Sequence, residues 1–142
     1  MKVFISHSFE DSDLARQLAD GLRARGLEPW LAEAEVFPGD NWAEAAGIAM
    51  KESDAMVVLV TPRSAGTPQL LMEAGYALTN RQYARRVIPL VVGNLDEMPE
   101  NAYPWILDRY LVVKIDEVGK LFTAIDRIAE ALKSNIPGPV AA

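Results

Sequence analysis

Six consecutive apolar residues, Ala55-Met56-Val57-Val58-Leu59-Val60, restrict the fold of this chain more than any other feature. A strand with one wet face alternates apolar and polar side chains, whereas an unbroken apolar run marks a strand covered on both faces. Such strands belong to parallel sheets, whose crossover helices supply both covers. Val87-Ile88-Pro89-Leu90-Val91-Val92 is a second run of this kind. Val3-Phe4-Ile5 and Tyr110-Leu111-Val112-Val113 are shorter ones. Pro29-Trp30-Leu31 is weaker, and its proline places it at a strand start or a sheet edge.

Helical segments lie between these runs. Leu14, Ala15, Leu18, Ala19 and Leu22 recur at helical spacing after a cap at Asp11 or Ser12, and Gly26 stops the helix. Glu33 to Asp40 reads as a loop, and Asp40 or Asn41 caps a helix from Trp42 to about Glu52. Thr67 caps the next helix, with Pro68 at its first position, where a missing N–H costs nothing. Residues 93 to 105 read as a longer loop. Leu121, Ile125, Ile128, Ala129 and Leu132 make the last amphipathic helix. The alternation predicts an α/β chain with a flavodoxin-like three-layer fold, a five-stranded parallel sheet in the order 2-1-3-4-5. The 142 residues suit one domain of the usual ~100–200 residues, placed at 1–134, with 135–142 as a flexible C-terminal tail.

In open sheets of this type, ligands bind at the carboxyl ends of the strands, where the strand order reverses. Here that point lies between strands one and three, so the loops 6–12 and 61–67 should face one another. Ser6, His7, Ser8 and Thr61 are candidates for lining the crevice. Glu73 falls in the early turns of the helix beyond it, within the otherwise apolar run Gln69 to Leu78. A carboxylate there is costly to desolvate unless it is paired or faces a cavity. Either it lies on an exposed helix stripe, or it serves the crevice as a nucleophile or as a stabiliser of developing positive charge. His7 has no evident acid partner and reads as a loop hydrogen-bonder at the pocket edge.

Composition narrows the chemistry. With no cysteine there is neither a disulfide nor a thiol nucleophile, and one histidine rules out His-rich metal sites. A net charge of −6 does not broadly attract nucleic acid or anionic membrane. Arg81, Arg85 and Arg86 read as a solvated loop cluster. No signal peptide or run of transmembrane length is visible, so a cytoplasmic protein is expected. Two common occupants of the fold fit poorly. A phosphate-accepting receiver needs an Asp ending strand three, where this chain has Val60-Thr61-Pro62. A flavin binder needs a Gly-rich phosphate loop after strand one, where Ser6-His7-Ser8-Phe9-Glu10-Asp11 has no glycine and two acids.

Several segments together resemble a bacterial Toll/interleukin-1 receptor (TIR) domain. Val3-Phe4-Ile5-Ser6-His7-Ser8 followed by Glu10-Asp11 is similar to the family's first-strand motif. Gly26 to Leu31, with Trp30, resembles its second strand. Val36-Phe37-Pro38-Gly39-Asp40-Asn41-Trp42 resembles the BB loop entering the second helix, and Ser53 to Ser64 the third strand and its exit. Glu73 falls where NAD+-cleaving members keep their catalytic glutamate. The chain departs from the pattern at Gln69, where the family often has Trp, and at Ala32-Glu33, where it often has Asp-Glu. The resemblance implies an NAD+ glycohydrolase acting on NAD+ as substrate with no cofactor or metal. Nicotinamide and ADP-ribose, or a cyclic ADP-ribose, would be the products, as in bacterial antiphage defence. Trp30, Phe37 or Tyr76 would stack on the substrate in place of the missing Trp, and Phe37, Pro38, Gly39 and Trp42 would line the site from the BB loop. Self-association through TIR surfaces including the BB loop, and a separate sensor or effector protein, are the implied partners, with no nucleic acid or membrane. Two alternatives stand beside it. One is a non-catalytic assembly module. The other is a nucleoside deoxyribosyltransferase-like enzyme, which Gly66-Thr67, Glu73-Ala74-Gly75-Tyr76-Ala77 and Val87-Ile88-Pro89-Leu90 resemble.

The chemistry needs only one acid. Ordinary glycosidases use two carboxyl groups because the departing oxygen must be protonated. The leaving group of NAD+ is already a cationic pyridinium and departs as neutral nicotinamide. What remains is an oxocarbenium-like ribose that favours a nearby negative charge, worth several kcal/mol if preorganised, by analogy with ~2.7–4 kcal/mol per oxyanion-hole donor. Glu73 can supply that charge, attack covalently, or hold the ribose hydroxyls.

Overall fold

The computed structural model describes residues 1–37, 39–83 and 86–134. Five parallel strands form one sheet in the order β2-β1-β3-β4-β5, the predicted arrangement. They are β1 (Lys2–Ser6), β2 (Glu28–Trp30), β3 (Ala55–Val60), β4 (Val87–Val92) and β5 (Val113–Ile115). The helices are α1 (Ser12–Ala24), α2 (Ala32–Glu35), α3 (Trp42–Glu52), α4 (Pro68–Thr79) and α5 (Leu121–Ser134). All six residues of β3 and of β4 are buried, as their unbroken apolar runs required.

Strand pleating sends alternate side chains to opposite faces, so each central strand feeds two cores. Val3, Ile5, Val57, Leu59, Ile88 and Leu90 pack against α1 and α5 through Leu18, Leu22, Ile125 and Ile128. Phe4, Met56, Val58, Val60 and Val91 pack on the other side with Leu70, Ala74, Ala77 and Tyr83. Register pairs Phe4 with Met56 and Ser6 with Val58. Ser6 therefore ends β1 beside the central strand, at the carboxyl edge of the sheet.

Three local expectations need correction. Glu33, expected in a loop, lies in the single-turn α2; four residues are too few to show helical periodicity. The last strand begins at Val113 and not at Tyr110. Tyr110 instead closes a 3-10 turn, its N–H donating to the Leu107 carbonyl. Tyr110 and Val112 then pack into one core and Leu111 into the other. The stretch expected as a loop between β4 and β5 also contains 3-10 turns, Leu95–Glu97 and Trp105–Arg109. The expected tail at 135–142 lies outside the described residues. So does Arg85 of the basic cluster; within that cluster, Arg86 donates from Nε to the Asp54 carbonyl. Among the described residues no helix is long and apolar enough to cross a membrane.

Candidate active site

Thr67 begins α4 as expected, its hydroxyl accepting from the Leu70 N–H, with Pro68 in the first turn. Glu73 lies in the second turn, where Leu70, Ala74 and Ala77 share its buried face. It is only 5% exposed, so the exposed-stripe alternative is overturned. Ser6 donates its hydroxyl to Glu73 Oε1 at 2.6 Å. Burial pushes the Glu73 carboxyl above its ordinary range, opposed in turn by the Ser6 hydrogen bond, the charge of His7 and a hydrogen bond from Gln69. Two of these three opposing groups come from the end of β1, and the third lies one turn earlier on α4.

His7 does have an acid partner. Its Nε2 lies 2.9 Å from Glu33 Oε1, and its Nδ1 lies 3.2 Å from the Ile5 carbonyl oxygen. The ring is thus held from both nitrogens, between the β1 backbone and α2. Glu33 Oε2 is buried and has no hydrogen-bond partner among the described residues. The site thus brings together one imidazole and two carboxyl groups, on β1's exit, α2 and α4.

The cleft at this edge is narrow, with a cavity volume of about 10 Å³, room for about one water. Ser6, His7 and Ser8 line it from the β1 exit, and Ser64, Thr67 and Gln69 from the β3 exit and α4, together with Leu59 and Leu70. Its polar groups are hydroxyls, an imidazole and an amide, and no aromatic ring but the imidazole lines it. Among the described residues no cluster of three or more His, Asp or Glu suited to a metal ion occurs.

The sequence-predicted residues divide into two groups. Ser6, His7 and Ser8 line the cleft, while Glu73 is not among its lining residues and lies behind it, hydrogen-bonded to Ser6. Thr61 lies just below, buried, with Oγ1 donating to Asp11 Oδ2 at 2.6 Å. The structure does not bring the rest to the cleft lining. Trp30 stacks on Phe4, ring centroids 5.2 Å apart, and packs into the core on the α3 and α4 side. Tyr76 packs edge-on to Tyr83 at 6.4 Å. Both rings are therefore engaged in packing. Phe37 is 70% exposed, Trp42 is 47% exposed, and Gly39 is an exposed turn residue at φ +93°. Pro38 lies outside the described residues. Sequence reasoning missed Glu33 as the partner of His7, Asp11 as a buried bridge, and Gln69 as a group holding Glu73. Gln69 was detectable, since residues four apart on a helix are neighbours.

Comparison with known proteins bears on the family and the fold. The family profile described as TIR domain matches residues 3–133. A relative from Bacteroides thetaiotaomicron named 2' cyclic ADP-D-ribose synthase BtTIR is 35% identical over 60 residues, or 42% of this chain. That match spans only 21% of the relative's length. The metazoan TIR-STING receptor from C. gigas, solved in complex with 2',3'-cGAMP, superposes with a TM-score of 0.70 at 19% identity. The superposition covers 96% of this chain and 41% of that one. A prokaryotic SEFIR domain superposes at 0.58 with 18% identity, covering 99% of both chains. At such identities the two structures speak to the fold alone, but the profile spans nearly the whole chain. The chain belongs to the TIR domain family.

Proposed function

We propose that the chain cleaves the nicotinamide–ribose bond of NAD+, with Glu73 as the catalytic carboxylate. The observation that carries this reading is the buried Glu73 held by Ser6 at the carboxyl edge of the sheet. A carboxylate kept in place at such cost, beside a cleft, fits a group that must face a developing cation. The bacterial relative named as a cyclic ADP-ribose synthase supports the substrate class. Nicotinamide leaves as a neutral molecule, so Glu73 needs only to be ionised when the bond breaks. Burial opposes ionisation and raises the Glu73 carboxyl, while Ser6, the charge of His7 and Gln69 act in the other direction. At about 10 Å³ the cleft is far smaller than the ~300–1,000 Å³ common for ligand sites, so NAD+ enters only if its walls move apart. Nicotinamide release from NAD+ by purified protein is the test, with Glu73→Ala alongside. Release by the wild type, reduced at least a hundredfold in the variant, is expected on the scale of ~10²–10³ for losing one preorganised electrostatic group. Equal release from both proteins would remove Glu73 from the mechanism.

A second reading, an assembly module, is favoured by the exposed Phe37 and Trp42 at the entry to α3. Concentration-dependent association with no NAD+ turnover at any concentration would favour it over catalysis.

A further inference from the structure

We infer that Asp11 is a positioning residue that sets the width of the cleft by tying its two loops together. This rests on the NAD+-cleaving reading of the cleft but on a separate set of contacts. Asp11 occupies the N-cap position of α1, where an aspartate ordinarily accepts from the first turn of its helix. Here its side chain makes no capping bond. It turns away from α1 and is 3% exposed. Oδ2 accepts from Ser8 Oγ at 2.8 Å and from Thr61 Oγ1 at 2.6 Å, and Oδ1 accepts from Arg63 Nη1 at 3.1 Å.

These partners lie on opposite sides of the cleft. Ser8 belongs to the loop leaving β1. Thr61 begins the loop leaving β3 and is itself the hub of that turn. Its Oγ1 accepts from the Arg63 N–H, its N–H donates to Ser64 Oγ, and its carbonyl accepts from the Ser64 and Ala65 N–H groups. Ser64 then lines the cleft with Thr67, whose hydroxyl donates to the Ser64 carbonyl. One carboxylate therefore connects Ser8 to Ser64 and Thr67 through Thr61. Strand pairing fixes β1 against β3 only as far as Ser6 and Val58. Beyond those residues, the buried Asp11 contacts join the two exits, with exposed Arg63 also reaching Glu10 Oε2 at 3.7 Å.

A buried carboxylate is a poor device for stability alone, because desolvation offsets much of what its hydrogen bonds contribute. Sacrificing a helix cap to make it adds to that cost. Departures from local rules of this kind concentrate at functional sites. Loosening the bridge should weaken substrate positioning more than it alters the groups that touch the reacting carbon, so KM should move more than kcat.

The test uses Thr61→Val, which removes the hydroxyl at nearly constant shape, Asp11→Asn, and the double variant. Each single change should raise KM for NAD+ about tenfold, as for loss of a hydrogen bond to a charged group, with a smaller change in kcat. The double variant should be no worse than Asp11→Asn alone, since Thr61→Val removes only a contact that the Asp11 change already weakens. Amide hydrogen exchange of 6–9 and 61–67 gives a readout that needs no turnover, and both segments should lose protection together in either variant. Unchanged KM with unchanged exchange, or additive effects in the double variant, would overturn the inference. If the wild-type protein does not cleave NAD+, the catalytic reading fails and exchange alone decides. Joint loss of protection upholds the bridge, and loss confined to α1 or absent altogether overturns it.

Discussion

Glu73 sits in a conflict between burial and charge, and the conflict has a measurable sign. Burial raises its carboxyl above the ordinary value of 4.5, with Ser6, His7 and Gln69 opposing the rise. The folded state therefore holds a proton that the unfolded chain has already released in the window between 4.5 and the raised folded value. Folding stability must fall as pH rises through that window. Glu73→Gln removes the titration while keeping size and an acceptor for Ser6. The variant should be more stable than the wild type at pH 7–8, and the gap should close on acidification below 4.5. Thermal unfolding across pH 4 to 8 checks this, and a gap that grows on acidification would contradict it. The same variant should be inactive if the proposed chemistry holds, as expected where a site trades stability for function. At this scale the sequence was partly informative. Ser6 and Glu73 were legible because a strand end and a helix turn place them by topology. The Glu33–His7 pair was not, because α2 is one turn long and leaves no periodic trace. Asp11 was misread for a different reason: its position predicts a cap, and only the tertiary fold shows that its carboxylate is used elsewhere.

The helices differ in how tightly they approach their neighbours, and two glycines report it. Gly21 lies in α1 against α5, where an added Cβ would meet Ile125 Cδ1 at 2.6 Å and Cγ2 at 3.0 Å. Gly47 lies in α3 with nothing within 4 Å of an added Cβ. Alanine exceeds glycine in a helix interior by roughly 0.5–1 kcal/mol. Gly47→Ala should therefore stabilise the protein by about that amount. Gly21→Ala gains the same propensity but forces an overpacked contact costing roughly 1–3 kcal/mol, so its net effect should be destabilising. Urea unfolding midpoints at constant slope distinguish the two, and a shift of the same sign in both would refute the packing argument. Element order itself was readable because both central strands are buried on two faces and must be apolar throughout. The last strand was placed three residues early because an apolar run does not distinguish side chains that enter the ladder from side chains that only fill a core. Tyr110 to Val112 do the second.

At the scale of the molecule, a sheet buried on both faces leaves function to its edges, and the edge that carries Glu73 is small. A cleft of about 10 Å³ has room for little more than a water, so a dinucleotide needs further surface if it is to be held. Phe37, 70% exposed, and Trp42, 47% exposed, stand at the entry to α3. Exposed aromatic surface of this kind marks interaction sites, and a second copy of the chain is the proposed partner. Two copies each carrying −6 repel one another, and salt screens that repulsion over about 8–10 Å at 0.1–0.15 M. Association through apolar side chains should therefore strengthen as salt rises, whereas association through ion pairs would weaken. Sedimentation across protein concentration at low and moderate salt reads this directly. Phe37→Glu should shift self-association to higher concentration by about tenfold or more, the ~1.4 kcal/mol scale of one interface side chain, without changing the melting temperature. Nicotinamide release per mole of protein should rise with concentration in the wild type and rise less in the variant. A protein that sediments as a monomer at every concentration, with turnover per mole constant, would place the whole of any activity in the single cleft.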